Sequence, residues 1–124
     1  MITADTSVWI NFAKGYPHPV VKKFERALSD GVVVMSPVVL FEVLSGLGVT
    51  PKIERLLSAL PRLNLHAGYW ERAAKMRQSL LKKGFKSRTA DTLIAQNCID
   101  EETPLLVSDS DFRHYQRFGL LLLK

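Results

Sequence analysis

Five acidic residues stand out by where they fall in the chain: Asp5, Glu42, Asp91, Asp109 and Asp111. The last two, in the stretch LLVSDSDF, follow directly on an apolar run that reads as a buried strand. Asp5 closes the opening run Ile2 to Ala4, and Asp91 lies in TADTLIAQN. Glu42 is embedded in VVLFEVLSGL, where a solitary charge in an apolar helix requires a specific partner. Brought together, such groups raise one another's pKa, because neighbouring like charges ionise at a cost. A divalent cation removes that penalty. Mg²⁺ prefers hard oxygen ligands with partial hydration, Mn²⁺ accepts much the same set, and both assist cleavage of phosphate esters. Taken singly, the acids also have structural readings. Asp5 ahead of Thr6-Ser7 suits a helix cap, Asp91 suits the positive end of a helix dipole, and Asp109 suits a cap on the helix containing Phe112. Glu25, Glu54, Glu71 and the run Asp100-Glu101-Glu102 lie among other polar residues and read as solvated surface.

The elements that must position these acids can be read from punctuation and periodicity. Ile2 to Ala4, Val32 to Met35, Leu63 to Leu65, Leu105 to Ser108 and Gly119 to Leu123 read as strands. Between them fall helical stretches: one carrying Val8, Trp9, Ile10 and Phe12, one over Pro19 to Ser29, one opened by Ser36-Pro37 and bearing Glu42, and one over Lys52 to Leu60. Longer helices follow over Ala67 to Lys83 and Ser87 to Asp100, with a short one around Phe112 to Arg117. Strands separated by helices predict an α/β fold, a mostly parallel sheet covered on both faces. In such sheets ligands bind beyond the carboxyl ends of the strands. Asp5, Asp109 and Asp111 fall at strand ends, Glu42 on the helix after the second strand, and Asp91 near the start of its helix, so all five can reach one edge.

A chain of 124 residues, 47% apolar and 23% charged, has the composition of one globular domain over residues 1–124. No apolar run approaches the roughly 18 residues of a membrane span. The N-terminus MITADTSVW lacks the basic region and apolar stretch of a secretory signal, which points to a cytoplasmic address. The one cysteine, Cys98, has no partner at metal-ligand spacing and reads as a buried structural thiol. A net charge of +5 favours a polyanionic partner through counterion release.

Together, Asp5 in ADTSVWI, Glu42 in SPVVLFEVLSG, Asp91 in TADTLIAQN and the pair in LLVSDSDF resemble, in order and spacing, the acidic motifs of PIN-domain ribonucleases. The size and start of the chain look like those of VapC-type toxins from bacterial and archaeal toxin–antitoxin pairs. That resemblance spans essentially the whole chain. It implies a three-layer α/β/α PIN fold with a central mostly parallel sheet, and metal-dependent RNA endonuclease activity with Mg²⁺ or Mn²⁺. Asp5, Glu42, Asp91 and Asp109 would be catalytic; Asp5, Asp91, Asp109 and Asp111 would hold metal. Glu42 would either bind metal or accept a proton from the attacking water. The resemblance further implies inhibition by a VapB-like antitoxin, seated in a hydrophobic groove among the early helices, and assembly as a homodimer. Many relatives carry Thr two residues before the late acid, where this chain has Val107, with Ser108 one place on. Asp109, nearer the strand end, is favoured as the principal late acid over Asp111.

Ahead of Asp91 the loop KKGFKSRTAD carries Lys82, Lys83, Lys86 and Arg88, and Arg113 and Arg117 follow the late acids. An RNA backbone tracking toward the pocket would meet these cations, although Lys near a helix C-terminus also suits the dipole. Trp9, Phe12, Tyr16, Phe24 and Phe41 are spaced for the core, or else for a subunit interface, rather than for base stacking, with the core favoured, and His18, His66 and His114 read as surface or packing residues. Two alternatives stand beside the nuclease. A receiver domain would show two adjacent acids after the first strand, whereas this chain has Asp5 alone. A catalytically inactive PIN-fold module, binding RNA or protein, gains nothing from concentrated negative charge.

Overall fold

The computed structural model describes all 124 residues. Its sheet is parallel, with β1 (Thr3–Ala4), β2 (Leu105–Leu106) and β3 (Leu122–Leu123) in the order β1-β2-β3. Two further segments extend it in the same sense through single bridges, Ile2 to Val33 and Met35 to Arg62. Backbone bonds hold these edges: Ile2 N–H donates to Val32 C=O at 2.9 Å, Met35 N–H to Pro61 C=O at 2.7 Å and Leu63 N–H to Met35 C=O at 3.0 Å. Five parallel segments therefore lie side by side, in the order Arg62, Val33 to Met35, β1, β2, β3. The expected strand Leu63 to Leu65 shrinks to the bridge at Arg62, since the N–H of Asn64 is taken by the Glu101 carboxylate at 3.1 Å instead of a strand partner.

Six α-helices pack around this sheet: α1 (Thr6–Lys14), α2 (Pro19–Ser29), α3 (Pro37–Leu44), α4 (Pro51–Ala59), α5 (Tyr69–Lys82) and α6 (Thr89–Asp100). A 3₁₀ helix spans Arg113–Phe118. Three helices open with proline just inside an extended N-cap residue (His18, Ser36, Thr50), where the missing N–H costs nothing and the fixed φ is already helical. α5 begins at Tyr69, two residues later than expected, because Gly68 holds φ +80°. A Cβ there would lie 2.7 Å from the Arg72 guanidinium, which is bonded to the Ala67 carbonyl and the Asp100 carboxylate. α6 begins at Thr89 rather than Ser87: Arg88 is extended, and the Ser87 side chain is committed to tertiary bonds.

Helices on both sides of the sheet complete a three-layer α/β/α fold. The core is centred on Trp9, Phe24, Met35, Leu57, Leu80, Ile94, Leu105 and Leu106, all fully buried. Trp9, Phe12 and Phe24 meet edge to face, with Trp9 and Phe24 centroids 4.6 Å apart. Tyr16 and Phe41, expected with them, are instead 54% and 66% exposed. Tyr16 follows the left-handed Gly15 that ends α1, and Phe41 lies on the face of α3 turned from the buried Val39 and Val43. Asp100 and Glu101 also depart from a purely solvated role. Asp100 accepts from Arg72 of α5 at 2.5 Å and from Gln96 at 2.9 Å, and Glu101 pairs with His66 at 2.8 Å. Cys98 is buried, and burial pushes its thiol well above the ordinary range, as suits a structural residue. No helix is long and apolar enough to cross a membrane.

Candidate active site

The parallel sheet points the carboxyl ends of its strands to one edge, and the acids gather there. Asp5 is the residue after β1 and the N-cap of α1. Its Oδ1 accepts the Thr6 N–H at 2.7 Å and its Oδ2 the Ser7 hydroxyl at 2.9 Å. The capping reading thus holds without exhausting the carboxylate's lone pairs. Ser7 lies 3.1 Å from the Ser108 hydroxyl, which binds the end of β1 to the chain leaving β2. Val107 is fully buried, so the hydroxyl reaching the acids belongs to Ser108. Glu42 on α3 finds the partner its apolar surroundings demand: Thr6 donates its hydroxyl to Glu42 Oε1 at 2.6 Å. Asp91 sits in the first turn of α6. Asp109 accepts the Asp111 N–H at 2.9 Å, so it fixes the turn between the late acids rather than capping the helix beyond Phe112.

Their charges interact. Burial pushes the Asp5 carboxyl up to about 6; the bonds from Ser7 and Thr6 oppose this, and the charges of Asp91 and Asp109 add to it. Burial likewise pushes Asp91 up to about 6, reinforced by Asp111, Glu42 and Asp109 and countered by Arg88. Asp91 thus feels the charges of Glu42, Asp109 and Asp111, and Asp5 those of Asp91 and Asp109, which ties the five acids to a single edge. As the side chains stand, no three acids, histidines or cysteines close on one point tightly enough to hold a metal ion by themselves. The donor set nevertheless suits a hard divalent cation with water in its remaining positions: oxygen ligands of net negative charge.

Beside the acids opens a cleft of about 360 Å³, lined by Lys86, Arg88, Arg113 and His114 together with Asp91 and Asp111. Three of the six cations expected on an RNA path therefore line the cleft, and Arg117 lies over Phe85 in its wall. Lys82 lines a different, larger groove of about 610 Å³ between α5 and α6, which contains no acid, and exposed Lys83 lines neither. Thr6 and Ser7, which hold the acids, were not legible as site residues, since DTS reads equally well as a simple capping cluster, whereas Ser108 stood out only by its place next to Val107. Ser87, Thr92 and Tyr115, whose hydroxyls bond one another at 2.7, 2.9 and 3.1 Å, were not legible either. That buried triangle locks the start of α6, and with it Asp91, to the 3₁₀ helix.

The PIN domain family model matches residues 2–117. The chain belongs to the PIN domain family. Solved structures similar to this PIN domain include VapBC-1 from nontypeable Haemophilus influenzae, at 20% identity and TM-score 0.76 over 100% of this chain and 98% of that one. VapBC2 from Rickettsia felis, bound to a DNA fragment from its promoter, is 23% identical with TM-score 0.73, covering 99% and 98%. VapBC-5 of Mycobacterium tuberculosis is 19% identical with TM-score 0.62, covering 98% and 94%. No curated protein matches the sequence. The receiver-domain alternative falls with the family match, and the PIN family and its fold are as the acidic motifs implied.

Proposed function

We propose that this chain, as one PIN domain over residues 1–124, is a metal-dependent RNA endonuclease of VapC type, the toxin of a toxin–antitoxin pair. The observation that carries this reading is the convergence of Asp5, Glu42, Asp91, Asp109 and Asp111 at one sheet edge, beside a cleft walled by cations. Acids alone would repel RNA; Lys86, Arg88 and Arg113 beside them attract its backbone, and a bound cation would remove the repulsion that remains at the acids. Asp5, Asp91, Asp109 and Asp111 would hold Mg²⁺ or Mn²⁺. When bound, the ion supplies acidification of water and compensation of charge developing on the phosphate. Water adds to phosphorus, the bond from phosphorus to the sugar oxygen breaks and that oxygen takes a proton from solvent, and the proton of the attacking water needs an acceptor. Glu42 would take that proton or bind the ion; one of its oxygens is held by Thr6, which leaves the other for either role. Ser7 and Ser108 orient Asp5, and the Ser87–Thr92–Tyr115 triangle orients Asp91.

A VapB-like antitoxin is the proposed partner, in keeping with the VapBC complexes among the structural neighbours. A cavity of about 190 Å³ bounded by Ile10, Ala13, Val43, Val49 and Ile53, with exposed Leu47 and Phe41 on neighbouring turns, supports an apolar seat for it among the early helices. Assembly as a homodimer and a cytoplasmic location belong to the same reading.

Purified, antitoxin-free protein incubated with total RNA and Mg²⁺ or Mn²⁺ tests the activity. Discrete fragments are expected, absent with EDTA and absent from an Asp91→Asn variant. Folded protein that cuts nothing would favour the inactive binding module.

A further inference from the structure

Three cations line the cleft beside Asp91 and Asp111, and none of them is neutralised. The ion pairs of the molecule are His66–Glu101 and Arg72–Asp100, both elsewhere, and the side chains of Lys86, Arg88 and Arg113 donate no hydrogen bond within the protein. Exposed guanidinium and ammonium groups held beside two carboxylates, yet unpaired, leave their donors available to an anion. The same cleft has an aromatic wall. His114 stacks on Phe85 with centroids 4.3 Å apart and planes inclined by 33°, and the Arg117 guanidinium lies 4.6 Å from the Phe85 centroid. Phe85 and His114 both line the cleft and are both half-buried. Their backbones are fixed from behind: Tyr115, next to His114, is fully buried and bonded to Ser87, two residues after Phe85.

We propose that this cleft is a nucleotide subsite, in which Lys86, Arg88 and Arg113 take a backbone phosphate and the His114–Phe85 stack takes the adjoining base. The inference rests on the nuclease reading and deepens it, naming where the nucleotide beside the scissile bond sits. A volume of about 360 Å³ falls within the roughly 300–1,000 Å³ typical of small-ligand sites, room for one unpaired nucleotide but not for a duplex. Single-stranded RNA is read by this combination, a basic track for the backbone and an aromatic face for each splayed base. Because base stacking tolerates any base, the subsite selects single strands; sequence preference falls to polar groups at its rim, such as Ser110.

The test is binding of 5′-AMP and 5′-UMP, inorganic phosphate and uridine to the intact protein in EDTA, followed by amide shifts in NMR spectra. Both nucleotides are expected to bind and to shift residues 84–88 and 110–115, with phosphate weaker and uridine weakest. His114→Ala should weaken nucleotide binding by at least about fivefold, the low end of measured base–aromatic stacking, with phosphate binding unchanged. His114→Phe should retain it, separating stacking from any other histidine role. Nucleotide binding that His114→Ala leaves intact, or phosphate binding as tight as that of AMP, overturns the subsite. RNA cleavage by the same preparation is scored separately. Cleavage without His114-dependent nucleotide binding sinks the subsite and spares the nuclease; nucleotide binding without cleavage does the reverse. Unperturbed spectra outside the cleft establish that each variant is folded.

Discussion

Asp5 is 6% exposed, and both it and Asp91 titrate near 6 rather than the ordinary 3.8. Between those values the folded chain keeps protons that the unfolded chain has released. By linkage, its stability must fall as pH rises through that window, in the absence of metal. An Asp5→Asn/Asp91→Asn variant removes both charges and keeps an acceptor for the Thr6 N–H. It should melt close to wild type at pH 4 and above it at pH 7, in EDTA. Mg²⁺ should raise the wild-type midpoint at pH 7 and leave that of the variant unmoved. A variant melting below wild type at pH 7 would mean that the bonds from Ser7 and Thr6 outweigh burial and repulsion at the site. Activity and stability oppose one another at these residues, as expected where like charges are held together for chemistry.

Among the elements, the 3₁₀ helix and the start of α6 depend on one small polar cluster. Tyr115, Ser87 and Thr92 bond in a triangle behind the cleft wall. Removing the tyrosine hydroxyl leaves Ser87 and Thr92 bonded to each other, so Tyr115→Phe should cost only about 1 kcal/mol in urea denaturation. Its effect on RNA cleavage should exceed that loss, because Asp91 and His114 would no longer share a fixed frame. The helices were legible because proline, serine and glycine mark their ends: Ser36-Pro37 opens α3, and Gly84 follows α5. The central strands were legible as β-rich runs, but the outermost segment was overdrawn, because its pairing was decided by Glu101, the C-cap of α6, capturing the Asn64 N–H. Asp5, Asp91, Asp109 and Asp111 were legible as candidates from their places at strand and helix ends, and Glu42 as a solitary charge inside an apolar helix. The hydroxyls that hold them were not, since Thr6 meets Glu42 36 residues away and Ser7 meets Ser108 101 residues away, contacts that no local pattern encodes.

Over the whole molecule a net charge of +5 draws any polyanion, so affinity for RNA does not by itself locate a binding surface. Placement can be separated from total charge. Lys86→Glu/Arg88→Glu reverses two cations in the cleft, whereas Lys22→Glu/Arg26→Glu reverses two exposed cations on α2, which contributes nothing to the cleft. Both variants carry the same net charge, so their long-range attraction for RNA falls alike. If the cleft is the path of the backbone, only the first loses direct phosphate contacts. Its affinity for a short single strand should drop on the order of tenfold or more beyond that of the α2 variant, and its salt dependence should flatten by about one to two phosphate contacts. Fluorescence anisotropy over a salt series measures both quantities. Equal loss in the two variants would make the attraction diffuse, and RNA would then reach Asp91 by a route other than the loop that precedes it.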